Sequence, residues 1–234
     1  MTVTEVKMQV KVWDVPTRLY HWAFAGVVIA QFVTAQLGGD AMFWHVRLGY
    51  AALALVLFRI YWGLVGSESA RFSHFLAGPS ATLAYMRDLA RRHPPAVASH
   101  NPMGGWAVIA LLLAVGTQAT LGLFSNDDIF IEGPLYGLIS KDLSDSLTGW
   151  HGVGAKVIVA LVGLHLLAIA VHQTVFREQL VPAMLHGNKP LEQPVQLRFV
   201  SPWRALPGLL LAVLAVWALV TWGESLAVDS YDYG

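Results

Sequence analysis

The sequence predicts an all-α integral membrane protein, a helical bundle of five transmembrane helices. Three observations carry that prediction. The chain is 56% hydrophobic and only 13% charged, with a mean hydropathy of +0.54, whereas soluble domains carry about 25% charged residues. Five apolar stretches are each long enough for a bilayer crossing, which takes about 17–25 residues. The fourth, WHGVGAKVIVALVGLHLLAIAVHQTVF from Trp150 to Phe176, carries three histidines, His151, His165 and His172. Ionisable groups inside a span are costly, so they acquire partners and commonly a function.

Residues 1–17 form a polar N-terminal segment with Lys7 and Lys11. It lacks an apolar signal core followed by a cleavage site, so the first apolar stretch is expected to stay as an anchor. Span one covers about Arg18 to Leu37, with His21 one turn inside its start, and Gly38-Gly39-Asp40 makes a short turn. Span two runs from about Phe43 to Val65, with His45 at its beginning and Arg59 near its end. Residues 66–102 are a polar connector. Within it, Pro79 to Arg92 has helical spacing with Leu83, Met86 and Leu89 on one side, which suits an amphipathic helix on the membrane surface. Span three, about Met103 to Phe124, has no histidine, and residues 125–147 form an acidic loop. After span four, residues 178–205 are a basic, proline-containing connector. Span five is about Leu206 to Trp222, followed by an acidic tail to residue 234. Trp203, Trp217 and Trp222 suit its interfaces.

Lysine and arginine placement orients the chain. Lys7, Lys11 and Arg18 on the N-terminal side, Arg71, Arg87, Arg91 and Arg92 after span two, and Arg177, Lys189, Arg198 and Arg204 after span four make eleven of the fifteen, whereas the opposite loops hold only Lys141. By the positive-inside rule the N-terminus is cytoplasmic and the C-terminus periplasmic, in a bacterial inner membrane. The zero formal net charge gives no basis for a nucleic-acid partner. The absence of cysteine excludes disulfides, iron–sulfur clusters, zinc–thiolate sites and covalently attached c-type haem.

With this topology the histidines fall at two depths. Spacings of fourteen and seven residues keep the three imidazoles of span four on one stripe, and fourteen residues correspond to about 21 Å along the axis. His45 and His151 lie toward the outer side; His21 lies toward the inner side, opposite His165 or His172. Facing imidazoles across a helical bundle can clamp an iron porphyrin from both sides. Two axial nitrogens complete the iron's coordination and favour electron transfer over oxygen binding. Copper or zinc is the rival ligand, but two imidazoles with no third donor leave a zinc site incomplete. Histidines bonded to neighbours for structure alone, or a proton relay, would also account for the pattern. Haem propionates need cations: Arg18 and Arg59 stand near the inner level, Arg47 and Lys156 near the outer one. Snorkelling toward lipid headgroups is the competing role for these four side chains. Residue spacing alone leaves His165 and His172 open as the inner partner.

The blocks VWDVPTRLYHW, WHVRLGYAALALVLFRIYWGLVGSESARFSHF, HNPMGGWA and LTGWHGVGAK with GLHLLAIAVHQ resemble the bacterial cytochrome b561 family, which includes the b-type cytochrome subunits of nickel hydrogenases. The resemblance covers about residues 10–190. It implies a four-helix dihaem core over 18–177, with the fifth C-terminal transmembrane helix as a departure from the minimal pattern. It also implies two b haems, His21 and His165 ligating the inner one and His45 and His151 the outer one. His172 becomes an extra imidazole beside the inner haem, near a quinone or a propionate.

The function expected on this basis is transmembrane electron transfer between the quinone pool and a periplasmic redox partner, a c-type cytochrome or a hydrogenase-like enzyme. Asp127, Asp128, Glu132, Asp142 and Asp145, with Glu224, Asp229 and Asp232 of the tail, would steer a basic partner to the outer face. Two further readings are a superoxide:quinone oxidoreductase and a haem-free membrane anchor subunit. The acidic outer loop disfavours the first, since superoxide is an anion. His74, His93, His100 and His186, all in connectors, are expected at the surface.

Overall fold

A computed structural model describes residues 7–129 and 131–231, with side chains described as far as 226. Asp232 and the side chain of Asp229 lie outside the described residues. The chain is mostly helical, and four helices are long and apolar enough to cross a membrane: α2 (Ala41–Val65), α5 (Pro102–Gly122), α6 (Lys141–Thr174) and the stretch Pro202–Leu226 that holds most of α8 (Ala205–Tyr231). α1 (Val15–Leu37) has 23 residues and sufficient length. It is less apolar than these four because Tyr20, His21, Gln31, Thr34 and Gln36 interrupt it.

The helix ends follow local chemistry. Asp14 caps α1: its carboxylate accepts the Thr17 backbone N–H at 2.7 Å, and Pro16 sits in the first turn, where a missing N–H costs nothing. Gly38 and Gly39 both take positive φ, 61° and 51°, which lets the chain reverse into α2. α6 begins nine residues before the Trp150 start expected for its apolar run. Ser140 caps it through the Leu143 N–H, and Asp142 in its first turn complements the helix dipole. The last third of the expected acidic loop is therefore helical.

The chain divides into two compact units. The first comprises, of the described residues, 7–21, 60–110 and 161–206. Here the connectors fold. β1 (Met8–Lys11) pairs antiparallel with β2 (Asn188–Leu191), Met8 opposite Leu191 and Lys11 opposite Asn188. α7 (Leu180–His186) ends in the left-handed Gly187, whose carbonyl accepts the Val12 and Trp13 N–H groups at 2.8 and 3.1 Å. Val12, Trp13 and Ala183 form a small core with Val10, Ala98, Met184 and Leu197. Trp62, fully buried, donates its indole N–H to Thr17 Oγ1 at 3.1 Å. The short α3 (Phe72–Phe75) precedes α4 (Pro79–Ala90). α4 turns Tyr85 inward and leaves Leu83 and Met86 exposed. The polar N-terminal segment and the basic connector after span four thus carry a strand pair that the sequence reading did not anticipate. The two four-residue strands are too short for an alternation signal, and each is held by the other.

The second unit comprises, of the described residues, 22–59, 111–129, 131–160 and 207–231. In it α8 packs Val216 and Val220 against Ala54 of α2, flanked by Tyr50 and Leu53. The loop before α6 is tied down by Asn126, whose side-chain N–H groups donate to Ser144 Oγ at 2.7 Å and Asp145 Oδ1 at 2.9 Å.

Candidate functional site

Each unit contains one pair of facing histidines. In the first, the rings of His21 on α1 and His165 on α6 have centroids 6.5 Å apart. In the second, His45 on α2 and His151 on α6 stand 6.2 Å apart. Two imidazoles bound to one iron from opposite sides, with a metal–nitrogen bond of about 2 Å and about 1.1 Å from nitrogen to ring centre, have centroids roughly 6 Å apart. Both pairs fit that spacing. Within each unit, no group of three or more His, Cys, Asp or Glu able to hold a metal ion occurs among the described residues. The donor set is therefore one of imidazole pairs, which suits a metal that brings its other ligands with it.

The His45–His151 pair is oriented for coordination. His45 Nδ1 lies 3.0 Å from the Gln31 backbone carbonyl, and His151 Nδ1 lies 3.0 Å from the Gln118 carbonyl. A carbonyl only accepts, so both rings carry their proton on Nδ1 and keep the Nε2 lone pair for a ligand. A histidine bound to a metal is commonly fixed in this way by its second nitrogen. Gly122 clears the space beside His151: a Cβ there would stand 3.3 Å from the imidazole Cε1. Neither Gln31 nor Gln118 stands out in the sequence as a candidate. The signal each gives is polarity alone, an amide within an apolar stretch.

His172 takes no part in either pair. It is 6% exposed, and its Nδ1 lies 3.1 Å from Glu178 Oε1. The other carboxylate oxygen accepts from Lys189 Nζ at 2.7 Å, and Lys189, itself 4% exposed, also donates to the Val97 carbonyl at 3.0 Å. Arg177, at φ 54°, turns the chain after α6 so that Glu178 returns to His172. Burial alone would raise the Glu178 carboxyl. The hydrogen bonds from His172 and Lys189, with the lysine's charge, outweigh it and hold the group below the ordinary carboxylate range. Burial, reinforced by the Glu178 charge, pushes the Tyr85 hydroxyl up to about 12.

The four cations proposed for propionates are placed differently from one another. Arg18 donates to the Leu185 carbonyl at 2.7 Å. Arg59 is 4% exposed within α2. Arg47 lies over the Phe43 ring, 3.2 Å from its centroid, as cation–π pairs do. Lys156 is exposed. Of the connector histidines, His74, His93 and His186 are exposed as expected. His100 is partly buried, its ring 4.4 Å from that of Phe75 and 4.8 Å from that of Trp13. In the loop before α6 and its first turns, Lys141 bonds both Asp128 and Asp145, so part of the acidic surface is locally neutralised.

Comparison with known proteins identifies the family. The family model described as prokaryotic cytochrome b561 matches residues 12–187. A protein of Azotobacter chroococcum mcd 1 named "Probable Ni/Fe-hydrogenase B-type cytochrome subunit" is 25% identical over 219 residues, covering 76% of this chain and 87% of the relative. Its namesake in Azotobacter vinelandii shows the same identity and coverage. That of Cupriavidus necator is 23% identical, covering 76% of this chain and 86% of its own. No solved structure matches the chain. A multi-pass chain whose matched region runs from before the first histidine of the pairs to beyond the last belongs to the prokaryotic cytochrome b561 family, whose members transfer electrons in the membrane through haem b.

Proposed function

We propose that the chain transfers electrons across the bacterial inner membrane between the quinone pool and a periplasmic redox partner, a c-type cytochrome or a hydrogenase-like enzyme, using two b haems. The observation that carries this reading is the recurrence of one spacing in both units, 6.5 Å at His21–His165 and 6.2 Å at His45–His151. His21 and His165 hold the inner haem, and His45 and His151 the outer one. A haem held by two histidines supplies a one-electron couple with no open position for oxygen.

The residues divide the remaining work. The Gln31 and Gln118 carbonyls fix the tautomer of the outer ligands. Arg18 and Arg59 at the inner level, and Arg47 and Lys156 at the outer one, neutralise propionates. His172, bonded to Glu178, stands where a quinone would exchange protons, since an imidazole backed by a carboxylate can both take and give a proton. α1 serves as a fifth span. The N-terminus faces the cytoplasm and the tail the periplasm, as the lysine and arginine distribution supports. The name of the relatives, a hydrogenase cytochrome subunit, supports an enzyme as one class of partner.

Single substitutions test the ligand assignment. His151→Ala or His45→Ala removes one haem per chain and leaves the other, read by haem quantitation on purified protein. Retention of both haems in His151→Ala contradicts the pairing. His172→Ala keeps both haems; loss of one there would make His172, not His165, the inner ligand.

A further inference from the structure

α5 carries no histidine, yet one of its residues is joined to an outer ligand twice. The Gln118 backbone carbonyl accepts the His151 Nδ1–H at 3.0 Å, and the Gln118 side-chain amide donates back to the His151 carbonyl at 2.9 Å. The two bonds run in opposite senses between the same two residues. The first sets the tautomer and the angle of the ring. The second pins the α6 backbone at His151, so the distance over which the first acts cannot drift.

This arrangement is costly as packing alone. Gln118 Oε1 is buried without a hydrogen-bond partner, and leaving a polar atom so costs about 1–3 kcal/mol. A leucine would bury no polar atom there and, ending at Cδ, would lack the atom that reaches Gly154. Room for the amide comes from α6: a Cβ on Gly154, one turn beyond His151, would overlap Gln118 Oε1. Gln118 and Gly154 thus form one device, an amide and the gap that admits it.

We propose that Gln118 is a positioning residue for the outer haem ligand, holding His151 in its Nδ1-protonated form at a fixed ring angle, with Gly154 as the space its side chain requires. This rests on the reading of His151 as a haem ligand. A hydrogen bond to Nδ1–H strengthens the imidazole as a donor and so stabilises the oxidised, more highly charged iron. Loosening the bond raises the midpoint potential of that haem.

The test compares purified full-length wild type, Gln118→Leu, Gly154→Ala and the double variant by haem quantitation, low-temperature electron paramagnetic resonance of the oxidised protein, and redox titration. The outer haem is the one lost in His151→Ala. In Gln118→Leu the proposal expects a moved low-field signal and a raised potential for that haem, with the other haem unchanged. Gly154→Ala alone moves the same haem, and in the Gln118→Leu background it adds nothing, because the clash is gone. An outer haem unchanged in Gln118→Leu overturns the proposal, as does an equal effect of Gly154→Ala in both backgrounds. Loss of the outer haem from Gln118→Leu shifts the decision to Gly154→Ala, which keeps both amide and histidine: a moved signal sustains the proposal and an unmoved one overturns it. Retention of both haems in His151→Ala is a different failure, that of the ligand reading itself.

Discussion

Glu178 shows how the role of a residue depends on partners that the fold brings to it. Its carboxylate joins His172, six residues back, to Lys189, eleven residues on, and its position follows from the left-handed turn at Arg177. Removing one member of a buried ion pair leaves an uncompensated charge and costs about 3–5 kcal/mol. With Lys189 only 4% exposed, Lys189→Met is expected to destabilise the protein by about 3 kcal/mol, read as a lowered Tm in detergent. Because the folded Glu178 carboxyl titrates below its ordinary range, its contribution is complete above the unfolded value of about 4.3 and is lost as pH falls through the folded value. The Tm gap between wild type and Glu178→Gln is therefore widest near neutral pH and narrows on acidification below about pH 4. At this scale the sequence shows the histidines plainly, because an imidazole stands out in an apolar run. Gln118 is less visible. Its proposed role depends on its backbone carbonyl and on the contacts its amide makes with His151 and Gly154 of another helix, which residue type does not reveal.

At the scale of elements, the long helices are legible because apolar length alone identifies them. What escapes is the folding of the connectors. The strand pair Met8–Lys11 and Asn188–Leu191 joins segments far apart in the chain, and four residues give no usable period. The start of α6 is also displaced, since Lys141 to Leu147 are polar enough to read as loop and become helix through the Ser140 cap. α8, which lies beyond the residues that the family model matches, is an integral part of its unit. Gly223 lies so close to the loop before α6 that a Cβ would overlap the Pro134 carbonyl and meet Leu135 Cδ2 at 2.7 Å. Backbone cannot yield as a flexible side chain would. Gly223→Ala is therefore expected to cost about 1–3 kcal/mol through overpacking, seen as a lower Tm, although it lies outside both histidine pairs. An unchanged Tm would mean that α8 does not hold this loop.

For the whole molecule, composition decides the class, since 13% charge leaves little for a soluble surface, and membership of the prokaryotic cytochrome b561 family supplies electron transfer through haem b. The proposed dihaem wire adds a definite stoichiometry. Both histidine pairs have the spacing of one iron between two imidazoles, so the chain should bind two porphyrins. Haem quantitation of the purified chain, taken with its reduced-minus-oxidised spectrum, tests this directly. Two b haems per chain are expected, with a reduced spectrum typical of six-coordinate, bis-histidine iron; a protein that binds one haem, or none, would overturn the two-pair assignment.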